Sequence, residues 1–183
     1  MVKAEIIMGV TGGIAAYKSA ALVSHLVQAN YGVRVVMTPS AHQFIGQATM
    51  AALTGRPVYT EIFAGQDAHP LGPHIEFARD ADLLCVAPAT ADFLGKAANG
   101  LADSLLSTLY LCFQGPVLMA PAMNCEMWEK PAVQRNIETL RSDGVHLIGP
   151  NEGWLSCRQK GAGRMSEPLE IAEQIVSVLK KSN

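Results

Sequence analysis

Five apolar runs of strand length recur along the chain, at 4–9 (AEIIMG), 33–37 (VRVVM), 83–87 (LLCVA), 116–120 (PVLMA) and 145–148 (VHLI), each bounded by Gly, Pro or polar residues. Continuous apolarity of this kind suits strands buried on both faces. Between the runs lie segments of helical composition at 14–29, 41–54, 91–112, 131–142 and 168–181, with apolar residues three and four apart. Strands alternating with helices form βαβ units, and βαβ units form a parallel sheet with helices on both faces.

The chain has 183 residues, 49% of them hydrophobic, which is enough for one substantial core and too few for two, so 1–183 reads as a single domain. Only 16% of the residues are charged, against roughly 25% in soluble domains. A covered parallel sheet and an apolar interface between copies both account for that deficit, and a homo-oligomer is expected. The formal charge of −2 offers no basic excess for a phosphate backbone or a lipid surface, so nucleic acid and membrane are not expected partners. Cys85, Cys112, Cys125 and Cys157 stand far apart without a Cys-x-x-Cys pair, as in a reducing compartment. The start, MVKAEIIMGVTGG, breaks at glycines and has the form of neither a signal peptide nor a membrane span, which makes the cytoplasm the expected location.

In a parallel α/β sheet the ligand sits outside the carboxyl ends of the strands. The segments expected there are 10–15, 38–40, 88–92 and 121–128. Two further stretches, 65–73 and 151–163, read as long loops, and loops of that length near a site serve as lids or clamps.

Gly12 and Gly13 let backbone N–H groups approach a ligand, and the helix after them turns its positive end to an anion; a tight turn without a ligand is the alternative. The six-residue dinucleotide fingerprint is absent, which disfavours NAD. Thr38, Ser40, Thr90 and Asp92 follow later strands, where short polar side chains cap helices or line the same crevice. In PAMNCEMW, Asn124 offers an amide donor and acceptor suited to a carboxylate or to the edge of a flavin ring, and Met123, Met127 and Trp128 are expected to wall a pocket or to join the core. His74, in LGPHIEFARDAD, could move a proton at a helix start facing the crevice. His25, His42, His69 and His146 carry no such context. Cys157 lies beside Arg158, Lys160 and Arg164, cations that favour a thiolate and attract an anionic substrate. The other three cysteines fall in strand or helix patterns and are expected in the core.

Together, GVTGGIAAYK, HIEFARDADLLCVAPATA, GKAANGLAD, PAMNCEMW and GAGRMSEP resemble the flavin-containing cysteine decarboxylase family nearly end to end, with the PxMNxxMW element and the His loop as the most specific parts. The resemblance implies a three-layer, Rossmann-like (flavodoxin-like) α/β fold with a central parallel sheet. It also implies a homo-oligomer built of trimers, a dodecamer being one such assembly, with FMN bound between subunits. Gly12, Gly13, Ile14, Thr38, Ser40, Thr90, Ala91, Asp92, Phe93 and Ala122 would then lie at FMN. His74, Asn124 and Cys157 would be catalytic, and Asn124, Met127, Arg158, Lys160 and Arg164 would face a small phosphorylated, cysteine-derived substrate.

The activity implied is conversion of 4′-phosphopantothenoylcysteine to 4′-phosphopantetheine in coenzyme A biosynthesis. Oxidation of the substrate thiol to a thioaldehyde gives the departing carboxylate an electron sink, CO₂ loss leaves an ene-thiol, and reduction with a proton from Cys157 yields the saturated product. Decarboxylation of a peptide's C-terminal cysteine, which stops at the ene-thiol, and non-catalytic FMN binding in a regulatory role are the alternatives. Cys157 and the basic residues around it favour the first reading. Asp92 stands where the family usually has Asn, and Ser156, Cys157 and Arg158 replace its usual Ala-Cys-Gly.

Overall fold

The computed structural model describes residues 2–61 and 72–182. Its strands are β1 (Glu5–Val10), β2 (Gly32–Met37), β3 (Val58–Tyr59), β4 (Leu83–Ala89), β5 (Val117–Pro121), β6 (His146–Leu147), β7 (Asn151–Trp154) and β8 (Lys160–Arg164). Its helices are α1 (Ala16–Gln28), α2 (Gln47–Thr54), α3 (Pro73–Asp80), α4 (Ala91–Ala98), α5 (Leu105–Cys112), α6 (Cys125–Trp128), α7 (Pro131–Ser142) and α8 (Pro168–Ser182). β1 to β6 form one parallel sheet in the order 3-2-1-4-5-6. This is the three-layer, Rossmann-like α/β fold expected from the alternation of strands and helices.

The sheet separates two apolar layers, because successive strand residues point to opposite faces. Ile6, Met8 and Val10 of β1 join Leu22 of α1 and Ile175 of α8 on one side. Ile7 joins Leu84, Phe93, Leu106 and Leu109 on the other. All seven residues of β4 are buried, which explains a strand with no polar alternation. The strand order reverses between β1 and β4, so the crevice of the doubly wound fold opens at their carboxyl ends.

Several expectations need correction. The segment 41–54 is a short 3₁₀ turn (Pro39–Gln43) followed by α2, with extended backbone at Gly46 between them. The segment 91–112 divides into α4 and α5: Gly100 takes a left-handed conformation at φ 65°, and Ser104 with Ser107 forms a capping box that starts a new helix. The stretch 151–163 is not a loop, because most of it pairs as the antiparallel hairpin β7–β8. Its strands, NEGW and KGAGR, pair through backbone groups and carry little of the apolar alternation that marks a strand in sequence. The other long loop, 65–73, lies largely outside the described residues, and Pro73 opens α3 at its first position.

Cys85 is fully buried, and burial pushes its thiol up to about 12. Cys112 is exposed and Cys125 only half-buried, so neither is the core residue expected. Among the described residues, no helix is long and apolar enough to cross a membrane.

Candidate functional site

A small set of buried polar groups fastens the crevice. Thr11, directly after β1, donates its hydroxyl to the Pro88 carbonyl at 2.6 Å and accepts from the Thr90 amide at 3.1 Å. Ser19 of α1 donates to the Ala87 carbonyl at 2.5 Å. The carboxyl ends of β1 and β4 and the helices that leave them, α1 and α4, are thereby tied together. Thr90 then caps α4, accepting from the Phe93 amide. A Cβ on Gly12 would run into the Ser40 side chain and come within 2.8 Å of its carbonyl carbon, so the loops after β1 and β2 can touch only with glycine at 12.

Between these loops lies a cavity of about 690 Å³, within the range of small-molecule and cofactor sites. Its wall contains Gly12, Gly13, Ile14, Thr38, Ser40, Thr90, Ala91, Asp92, Phe93 and Ala122, the whole set expected at FMN. It also contains Met123, Asn124, Met127, Cys157 and Arg164. Two features fit a phosphorylated, hydroxyl-bearing ligand. No side chain caps the N-terminal end of α1, whose positive end borders the cavity at Ala15 and Tyr17, although the Ala16 and Lys18 amides already donate to the Gly13 and Ala15 carbonyls. The Thr38 Oγ1 is buried with no hydrogen-bond partner among the described residues, an unsatisfied group that a ligand would satisfy.

Asn124 caps α6, accepting at Oδ1 from the Glu126 and Met127 amides at 2.8 and 3.3 Å. With the oxygen committed to the helix, the donor end of the amide is left for an acidic ligand. Cys157 reaches the cavity from the turn between β7 and β8.

Other expected residues lie elsewhere. His74 is on the first turn of α3, outside the cavity wall, with its ring against Gly72 and its Nδ1 buried without a hydrogen-bond partner among the described residues. Arg158 and Lys160 are exposed on the hairpin and also stand outside the wall. Trp128 packs against the core layer under α4 and α7, and the tryptophan that lines the cavity is Trp154.

Two ion-pair networks at the wall escape sequence reasoning. Lys96 bridges Asp92 at 3.1 Å and Asp103 at 2.9 Å, so the negative charge of Asp92 is met by a cation within its own helix. The hydrogen bond to Asp103, then that to Asp92, holds the Lys96 ammonium above its usual pKa against the opposing effect of burial. Lys18, almost fully buried, donates to the Met165 carbonyl at 3.0 Å and to Glu167 at 2.9 Å, and Arg164 contacts the same carboxylate at 2.5 Å. The foot of the hairpin is thus bolted to α1. Thr11 was not singled out in sequence, and its place beside Gly12 is the signal that could have found it. Lys18 was not singled out because its partner Glu167 is distant in sequence, whereas the i,i+4 spacing of Asp92 and Lys96 was a signal that could have been read.

The Flavoprotein family model matches residues 1–180. The chain belongs to the flavoprotein family. This flavoprotein is 47% identical over 169 residues to the coenzyme A biosynthesis bifunctional protein CoaBC of Bacillus subtilis, a match covering 92% of this chain and 41% of the relative's length. It is similar in structure to the FMN-dependent cysteine decarboxylase SpaF, with a TM-score of 0.86, 31% identity, and coverage of 99% of this chain and 98% of the other. A cysteine-to-serine mutant of PPC decarboxylase complexed with pantothenoylaminoethenethiol superposes with a TM-score of 0.85 at 30% identity, covering 97% of this chain and 99% of that one.

Proposed function

We propose that this flavoprotein holds FMN in the cavity at the β1/β4 crevice and decarboxylates 4′-phosphopantothenoylcysteine to 4′-phosphopantetheine. Residues 1–183 act as one domain, in the cytoplasm, within a homo-oligomer built of trimers. The observation that carries the reading is that Asn124 and Cys157, from α6 and the hairpin turn, share one cavity with Gly12, Thr38 and Thr90. The likeness to a coenzyme A biosynthesis protein and to a PPC decarboxylase supports the substrate.

Bound in this cavity, FMN supplies a reversible two-electron oxidation that gives the carbon beside the departing carboxylate an electron sink. The amides of Gly12 and Ile14, on either side of Gly13 whose own amide donates to the Thr11 carbonyl, hold its phosphate with the positive end of α1, and the Thr38, Ser40 and Thr90 hydroxyls meet its polar groups. Ala91, Asp92, Phe93 and Ala122 complete the wall on the β4 and β5 side. Asn124 donates its amide N–H to the substrate carboxylate, and Met127 gives the substrate an apolar surface. Arg164 stands at the wall for the phosphate end, with Arg158 and Lys160 as outlying charges that draw it in.

His74 takes the thiol proton. It lies outside its own chain's cavity, and in the proposed trimer a neighbouring copy presents it. Cys157 returns a proton to carbon in the last step, which separates this enzyme from one that releases an ene-thiol. Loaded with FMN and given 4′-phosphopantothenoylcysteine, Cys157→Ser is expected to release CO₂ and deliver a product two hydrogens short of 4′-phosphopantetheine, as read by mass spectrometry. Loss of CO₂ release with FMN still bound would remove Cys157 from the final step.

A further inference from the structure

We propose that Cys125 and Cys157 form a reversible disulfide, a redox modification site that closes the cavity's hairpin onto α6. Cys125 is the first residue of α6, and Cys157 lies in the turn between β7 and β8. The fold brings both thiols to one acceptor: Gln159 Oε1 is 3.4 Å from the Cys125 Sγ and 3.9 Å from the Cys157 Sγ. Two sulfurs sharing one oxygen can be no further apart than those two distances laid end to end.

The backbone around them favours closure. A Cβ on Gly161 would stand 2.9 Å from the Cys125 Cβ and 3.4 Å from its Sγ, so the bare glycine leaves the space beside the thiol clear. The Met123 amide donates to the Gly163 carbonyl at 2.9 Å, which keeps β8 against the start of α6. Bond formation needs a sulfur–sulfur distance of about 2.05 Å, so the part that must move is the turn at 155–159, with the Gln159 side chain swinging aside.

The other two cysteines do not compete. Cys85 is fully buried, and Cys112 is exposed at the end of α5, where the chain turns back to the amino end of β5.

The oxidant required is a low-molecular-weight disulfide. The exposed Cys157 attacks it as a thiolate, breaking its S–S bond, forming a mixed disulfide and releasing one thiolate. The Cys125 thiolate then attacks the Cys157 sulfur, forming the internal S–S bond and expelling the second thiolate. Two protein thiols are oxidised, one external disulfide is reduced to two thiols, and the two protons lost by the cysteines pass to the leaving groups.

The modification removes the Cys157 proton and pins the hairpin. Its effect on turnover rests on the proton-donor role proposed above, whereas its formation does not. FMN-loaded protein is therefore incubated with oxidised glutathione, alkylated, digested and mapped by mass spectrometry. The expected result is a Cys125–Cys157 cross-linked peptide pair in at least tenfold excess over glutathione on Cys157, reversed by dithiothreitol. Cys125→Ser is expected to keep its activity before oxidation and to retain glutathione on Cys157. Equal glutathione on Cys157 and Cys112 with no cross-link would overturn the proposal. The map reads mass and not turnover, so a chain that cross-links without decarboxylating would contradict only the functional reading.

Discussion

Lys18→Met is expected to lower the free energy of unfolding by about 2–3 kcal/mol, seen as a fall of about 4–12 °C in thermal midpoint. The buried ammonium donates to the Met165 carbonyl and to Glu167, and methionine fills much of the same volume without either bond. A buried carbonyl left unpaired costs about 1–3 kcal/mol. Breaking a fully buried ion pair costs about 3–5 kcal/mol, but the Glu167 side chain is 45% exposed and keeps Arg164, so water and the second cation cushion the loss.

Acid titration gives an independent check on the same bond. The hydrogen bond from Lys18 holds the Glu167 carboxyl below the usual range, assisted by the charges of Lys18 and Arg164 and opposed by burial. A depressed folded-state pKa stabilises the protein above the ordinary carboxylate value of about 4.3 and ceases to do so as pH falls through the lower folded value. The wild type is therefore expected to lose more stability than Lys18→Met on acidification through this window. Parallel stability–pH curves for the two proteins would show that the pair contributes nothing. Because the bond anchors the hairpin that bears Cys157, the variant is also expected to digest faster with protease at 155–159.

His74→Asn is expected to slow the first chemical step by about 10²- to 10⁴-fold, the usual worth of a positioned proton-transfer group. The measurement is anaerobic loss of flavin absorbance after mixing FMN-loaded protein with 4′-phosphopantothenoylcysteine. FMN content should be unchanged, because the groups proposed to hold FMN are those of the cavity wall, and the proposed partner of His74 is the substrate thiol. Bleaching at the wild-type rate would take His74 out of the reaction, and loss of FMN itself would make its role structural.

The parallel sheet was legible because buried strands cannot hide their composition. The runs at 4–9, 33–37, 83–87, 116–120 and 145–148 reappear as β1, β2, β4, β5 and β6, each within one or two residues at its ends. β3 was not seen, since two edge residues, Val58 and Tyr59, are too few to set a period. The hairpin was not seen because glycines and charges make up most of its strands, and its shape depends on backbone pairing and on contact with α6. In the site, the glycines and short hydroxyls after each strand were readable because the crevice of such a sheet is fixed by topology. The lysine at 18 was not, since its ion pair is decided by a partner that only the fold supplies, while the Asp92–Lys96 pair at i,i+4 was readable in sequence and was passed over. For Lys18 the partner stands 149 residues away.

The most direct measurement is the mass of the product that FMN-loaded wild-type protein makes from 4′-phosphopantothenoylcysteine. A product lighter by CO₂ alone is expected if Asn124 holds the carboxylate and Cys157 completes the reduction in one cavity. A product lighter by CO₂ and two further hydrogens, or substrate returned unchanged by protein that retains its flavin, would contradict it.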